Sequence, residues 1–446
     1  MRLDSRNLTP QAYRKVVFAG GDHKSNAAGA RSLNTLAEWS FQATRVSELT
    51  LQGGREMKAQ QTARVEQYHR AEAERSLSTP RQPSPQAPPN VPQVGVVEMD
   101  GGRLRTREEG GARGVSAPHW REFQAGCVVR LQSDVSEQDP RPQVPELFLQ
   151  RPQVQKLVTQ LHRQRHEPRE SEEDPQSIAE ILEPGALAEN AAQQERQEGS
   201  PMPKAKPGRP RRLMRTCVAT LAGADECGRI LAAEAADRGL HEAARKGFIS
   251  DGQSSLRHVW ERYFQRLGYL PILDFIHLLS YAYALAMAVS RTPDEGWRRY
   301  TTWIAMLWSG LGQEVLEQWR RWAVELEIPE EKLPENDPRY PVQRGLTYLG
   351  NNLDRVDYPR YRKLGLPVTS TLMESLVKEF NLRVKGTEKF WNDPSGAEAI
   401  LTVRAALLSE DGRFDTFFAT RPGCCYRRRS TWNNEQKQAS PHSQAI

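Results

Sequence analysis

Between residues 25 and 38 the apolar positions are Ala27, Ala28, Ala30, Leu33, Leu36 and Ala37. That spacing predicts an amphipathic helix. A break over Trp39–Phe41 follows, with a second helix expected from about Gln42, so residues 1–80 read as a helical unit. Further along, the pattern changes to short β-branched runs. Residues 94–99, 120–132, 213–221, 247–250 and 270–273 read as strands. Helices are expected over 227–246 and 254–266, and from Asp274 to about Leu408 the pattern is helical throughout. The expected order is β-β-β-α-β-α-β and then helices, an α/β arrangement.

The stretches between these elements are polar. Residues 76–92 hold six prolines and few apolar side chains, which predicts an extended linker over 81–93. Residues 133–212 are rich in Glu, Gln, Arg and Pro and cannot bury a core, so they read as a low-complexity insertion. At 446 residues the chain is too long for one ordinary domain. Its net charge of +6 permits an anionic partner without specifying one. Five scattered cysteines argue against a disulfide framework, and neither Cys217/Cys227 nor Cys424/Cys425 has a zinc-binding spacing. The N-terminus has no apolar core of a secretory signal. The most apolar stretch, 269–290, carries Pro271, Asp274 and His277, which argues for a buried strand and helix and against a membrane span.

Two aspartates directly follow short apolar strands: Asp100 in VVEMDGG and Asp251 in GFISDGQ. The glycine after each lets the chain turn and lets a ligand approach. The C-terminal ends of parallel strands lie together, and carboxylates gathered there repel unless a cation joins them. Asp-Gly is equally an ordinary turn dipeptide, so on spacing alone both readings stand. A third acidic residue, Glu374, falls in the first turn of a helix expected to start at Ser370 or Thr371. Helical spacing puts Glu374, Lys378, Asn381 and Lys385 on one stripe. A metal-touching carboxylate followed by phosphate-binding cations has this pattern. So does a solvated face with an i,i+4 Glu–Lys pair.

The order MDGGRLRTR, SDGQSSLRHVW, LDFIHLL and GLPVTSTLMESLVKEFNLRVKGTEKFW resembles the successive motifs of bacterial insertion-sequence transposases of the DDE type, the Kra group most closely. The resemblance covers residues ~10–410 and is poor over the second linker. It implies a ribonuclease H-like core: a mixed five-stranded sheet with helices on both faces, a helical insertion and an N-terminal helical DNA-binding unit. The divisions expected are a helix-turn-helix-like unit over 1–80, core segments over 94–132 and 213–276, the insertion over 277–364, the final core helices over 365–410 and a tail over 411–446. Asp100, Asp251 and Glu374 match the three metal ligands, and Asp274 with His277 matches a D-x-x-H element after the second aspartate. Relatives carry an upstream Cys-rich zinc segment that has no counterpart here, which implies a short or truncated copy. Thr369-Ser370-Thr371 also stands where Gly-Ser-Gly is common.

The activity implied is DNA strand cleavage followed by strand transfer, with two Mg²⁺ ions, for which Mn²⁺ can substitute, held by the three carboxylates. Double-stranded DNA, as transposon end and target, is the partner implied, with a homo-oligomer as the working form, no membrane, and the bacterial cytoplasm and nucleoid as the location. Arg45, near the start of the second helix of the N-terminal unit, is expected at a base edge. Lys378, Arg383, Lys385 and Lys389 are expected at phosphates. Two other readings share these residues: an inactive DNA-binding relic or regulator, and a structure-selective nuclease.

Overall fold

A computed structural model describes residues 2–3, 8–78, 91–106, 119–165, 210–385, 391, 393–420 and 424–425. Residues 81–90 of the linker expected over 81–93, most of the low-complexity insertion and Lys389 lie outside the described residues. The strands are β1 (Arg2–Leu3), β2 (Val94–Thr106), β3 (His119–Gln132), β4 (Arg211–Thr220), β5 (Arg245–Ser250), β6 (Leu270–Leu273) and β7 (Cys424–Cys425). The first helices are α1 (Pro10–Asp22), α2 (Asn26–Leu36), α3 (Ala43–Ser78) and α4 (Arg151–Arg165). Next come α5 (Ala224–Asp237), α6 (Ser254–Tyr263), α7 (Phe275–Ala288), α8 (Pro293–Trp308), α9 (Gly312–Glu325) and α10 (Tyr340–Asn351). The last are α11 (Tyr358–Lys363), α12 (Thr371–Val384), α13 (Pro394–Leu408) and α14 (Arg413–Thr420).

The chain divides into two units that do not follow its linear order. One comprises residues 1–63, 105–119 and 382–446, the other 64–104 and 120–381. The larger unit is built on an open five-stranded sheet in the order β4-β3-β2-β5-β6. β2, β5 and β6 run parallel, and β3 pairs antiparallel with β4, so the sheet is mixed. One face packs on α5 and α6. Val97, Met99, Val128, Val218 and Phe248 meet Ile230, Leu231, Val259 and Trp260 there, and Val65 from the second half of α3 joins them. Arg64, one residue earlier, pairs with the fully buried Glu234. From Phe275 to Lys363 the described chain is helical, as the pattern predicts. Trp303, Trp308 and Trp319 are its buried anchors. The apolar stretch 269–290 is strand β6 and helix α7. No helix among the described residues is long and apolar enough to cross a membrane.

Three local expectations need correction. The helix expected over 227–246 ends at Asp237, because Gly239 takes a left-handed φ of 68° and Leu240 turns back into the core. The Gly101–Gly102 pair does not turn the chain, and β2 runs on to Thr106. A Cβ on Gly102 would stand 2.3 Å from the Phe123 ring, so these glycines serve a close strand approach. Finally, the low-complexity insertion begins later than residue 133, since α4 buries Val154, Leu157 and Leu161.

The smaller unit is a helical bundle. α1, α2 and the first half of α3 share a core with α13 and α14, built around Tyr13, Val17, Leu33, Leu49, Val403 and Phe418. Residues 394–408, expected with the sheet, therefore belong with the N-terminal helices. The expected tail from 411 contains a helix with buried Phe414, Phe417 and Phe418. Amphipathic spacing specifies that a face is buried and leaves open what buries it. α3 crosses α13 at Gly54, where a Cβ would stand 2.2 Å from the carbonyl oxygen of Ala399. Glycine inside a helix costs roughly 1 kcal/mol relative to alanine. The close crossing is what keeps it there. Gly54→Ala is expected to lower unfolding stability by roughly 1–3 kcal/mol despite its better helix propensity, because a backbone oxygen cannot yield as a side chain can. Urea denaturation of the variant measures it.

Candidate functional site

β2 and β5 pair in parallel from Val94↔Arg245 to Met99↔Ser250. The residues that come next in that register are Asp100 and Asp251. Neighbouring strands lie about 4.8 Å apart, so the two aspartates stand at one level of the sheet. Asp100 is half-buried and Asp251 is buried. β5 stops at Ser250 while β2 continues, so the parallel edge ends where these carboxylates stand.

Alternation along β2 sends Val97 and Met99 toward α5 and α6, and Glu98 and Asp100 to the opposite face. That face carries α12. The backbone N–H of Met373, which bonds to the Ser370 carbonyl, lies close enough to the Glu98 carboxylate to act on its charge, and Phe380 meets Phe123 with ring centroids 6.1 Å apart. Glu374 follows Met373 directly, so the first turn of its helix lies over the strand that carries Asp100. The Glu374 side chain is outside those described.

The loop after β5 is held tightly. Asp251 accepts from the backbone N–H of Gln253 at 3.0 Å and from its side-chain amide at 2.8 Å. Its carbonyl accepts from the Tyr348 hydroxyl at 2.7 Å. Gly252 has a φ of 79°, and a Cβ there would meet Leu273, Asn352 and Tyr348 at 3.0 Å or less. Asn352 and Arg355 complete the brace. Arg355 donates to Ser250 Oγ at 2.6 Å and to Asn352 Oδ1 at 3.0 Å. Its burial pulls the guanidinium pKa down.

Asp274 and His277 stand together, both buried. His277 Nδ1 lies 2.7 Å from Asp274 Oδ2. Asp274 also caps its own helix, accepting from the Ile276 N–H at 3.2 Å, and it accepts from Ser370 N–H and Oγ–H at 3.0 and 2.7 Å.

The cations expected at DNA fare differently from one another. Lys378 is half-buried on α12. Arg45, in the first turn of α3 in the smaller unit, lies 3.1 Å from Glu48. Lys385 is half-buried in that unit too. Arg383 is a correction. It is 4% exposed, donates to Gly20 O and Asn26 Oδ1, and packs against Trp391, so its charge is used inside the smaller unit. Burial lowers its pKa to about 10. Arg362, in a basic RYRK run, is likewise buried, bound to Asp139 and stacked 4.2 Å from the Trp308 ring.

The feature that the sequence reading missed is Glu98. It is 1% exposed, and its Oε2 has no hydrogen-bond partner. Burial, and then the nearby charge of Asp274, push its pKa up to about 8; Arg215, the Met373 N–H and Arg212 act the other way. The available signal was an acid inside the apolar run VGVVEM, two residues before Asp100 and therefore on its face. Among the described residues no three His, Cys, Asp or Glu side chains form a metal-holding group.

Glu98 sets a pH dependence. An acid whose pKa rises on folding keeps its proton longer in the folded state, so its stabilising contribution is complete below 4.5. That contribution is lost as pH climbs toward about 8. The slope is at most about 1.4 kcal/mol per pH unit. Glu98→Gln should flatten the fall in stability across that window and leave the variant more stable than the wild type at its upper end. Urea midpoints measured at a series of pH values check the sign.

No protein-family model, no curated protein and no solved structure matches the chain.

Proposed function

We propose that the chain is a DDE-type DNA transposase with a ribonuclease H-like core, cutting insertion-sequence ends and joining them to target DNA. The observation that carries this reading is the parallel pairing of β2 with β5 up to Met99↔Ser250, after which Asp100 and Asp251 come next, with Met373, the residue before Glu374, beside Glu98 on the face that alternation gives Asp100. The strand order β4-β3-β2-β5-β6, with the antiparallel pair at one edge and the parallel strands at the other, agrees with that core. So does the helical stretch between β6 and α12.

The donor set suits a hard cation. Asp100 and Asp251 offer only oxygen, and acids at one level of a sheet repel until a cation lies between them. Asp100, Asp251 and Glu374 would hold a pair of Mg²⁺ ions, which supply a lowered pKa for an attacking water or DNA 3′-OH and neutralise charge on the leaving oxygen. The protein's own part is positional. Tyr348, Asn352 and Arg355 fix the loop that presents Asp251, so little reorganisation accompanies the reaction. Gln253 occupies both Asp251 oxygens through one backbone and one flexible side-chain bond, and the latter is free to release on ligand binding. DNA binding rests on Lys and Arg contacts to phosphate and falls as salt rises. Lys378, one turn after Glu374, is the nearest cation on that helix.

Asp251→Ala should abolish Mg²⁺-dependent cleavage and strand transfer while leaving DNA affinity and its salt slope unchanged, because the carboxylate acts on the transition state and docking does not use it. Strand transfer with a labelled transposon end, paired with a gel shift on the same DNA, measures both. Cleavage by the variant at the wild-type rate overturns the assignment. Wild-type protein that binds ends without cutting them in Mg²⁺ or Mn²⁺ is a regulator. Wild-type protein that cuts without joining is a nuclease.

A further inference from the structure

Asp274 lies in the second row of the site, yet hydrogen bonds from it reach two of the three elements that carry the proposed metal ligands. It is fully buried at the junction of β6 and α7. Its backbone N–H donates to the carbonyl of Ser250, the residue before Asp251, at 3.0 Å. Its carboxylate receives four donors. Oδ1 takes the N–H groups of Ile276 and Ser370, and Oδ2 takes the Ser370 hydroxyl and His277 Nδ1. Ser370 immediately precedes α12, whose third residue, Met373, bonds back to the Ser370 carbonyl at 2.9 Å. The neighbouring N–H of Phe275 donates to Val368 O at 3.1 Å, which doubles the tie. The third element, β2, approaches through Glu98, two residues before Asp100 and close enough for the charge of Asp274 to act on it.

We propose that Asp274 is the positioning residue of the site: one carboxylate that sets the start of the Glu374 helix against the end of the Asp251 strand, with His277 orienting it. This rests on reading Asp100, Asp251 and Glu374 as the metal-holding set. Ser370 is 5% exposed and cannot replace its lost partner with water at no cost. Without Asp274 the first turn of α12 loses its anchor, and the carboxylate on that turn loses its fixed place.

The donor geometry separates a positioning role from a charge-bearing one. Asparagine can keep the amide oxygen on the Ile276 and Ser370 N–H groups. Its NH₂ then takes the place of Oδ2 and donates to Ser370 Oγ, after the hydroxyl rotates, and to His277 Nδ1, after a tautomer shift. Asp274→Asn therefore preserves the tie without the charge, and Asp274→Ala removes the tie.

The test compares the wild type, Asp274→Asn, Asp274→Ala and Ser370→Ala as full-length proteins. In metal-free protein, amide hydrogen exchange over residues 371–376 should accelerate at least about tenfold in Asp274→Ala, since even one charge-assisted hydrogen bond is worth that factor. Ser370→Ala should show the same direction to a smaller extent, and it carries the test if Asp274→Ala does not fold. Asp274→Asn should stay near wild type. Mn²⁺ affinity, measured by calorimetry, should fall roughly 10- to 100-fold in Asp274→Ala and hold in Asp274→Asn, the range typical of groups that orient metal ligands. Equal loss of Mn²⁺ affinity in Asp274→Asn and Asp274→Ala overturns the proposal and makes Asp274 a ligand or a charge-bearing group. Unchanged exchange in both Asp274→Ala and Ser370→Ala also overturns it. If the wild type binds no Mn²⁺, the metal reading fails, and the exchange measurement alone decides whether Asp274 holds the helix.

Discussion

Six residue pairs between β2 and β5 set the level at which Asp100 and Asp251 stand, and the rest of the larger unit depends on that register. A slip of one residue would send Val97 and Met99 away from α5 and α6 and drive Glu98 into that apolar core. The slip is opposed by the apolar residues on one face and by the polar network on the other. The two faces are therefore coupled: the greasy one specifies the alignment that the acidic one uses.

The polar face carries an energetic cost that the packing must offset. Glu98 and Asp274 are both buried, and a carboxyl group taken from water must be hydrogen-bonded or neutralised. Asp274 solves this with four donors from two helix starts. Glu98 lies near the Met373 N–H and the cations Arg215 and Arg212, and its Oε2 has no hydrogen-bond partner. Burial, and after it the charge of Asp274, raises the proton affinity of Glu98, which is why its pKa moves so far. Arg355 is the counterpart on the β5 side. It is a buried cation whose donors fix Ser250 and Asn352 and so hold the loop of Asp251.

The helical stretch between β6 and α12 is thus part of the site's framework. Tyr348 comes from α10, Asn352 caps its C-terminal end, and Arg355 comes from the turn that follows. Their ties to Ser250, Asp251 and Gly252 span about a hundred residues of sequence. The smaller unit is non-local in the same sense. Arg383 binds Gly20 O and Asn26, and Arg404 binds Asp22, so residues from near the two ends of the chain build one core.

The sequence by itself determined the elements, because their signals are local. β-branched runs gave the five strands of the sheet, and helical spacing gave the long helical stretch. It also singled out Asp100 and Asp251, since an acid directly after a short apolar run is visible in a few residues. Tertiary structure decided what those signals cannot carry. That Gly101 and Gly102 continue β2 depends on the approach of Glu122 and Phe123 from the next strand. That α13 and α14 join the N-terminal helices depends on which apolar faces are complementary, and that Arg383 is buried depends on acceptors more than three hundred and fifty residues away. Glu98 reads in sequence as one charge in a strand. Its altered proton affinity arises only where folding removes water and brings Asp274 beside it, and no local pattern encodes that.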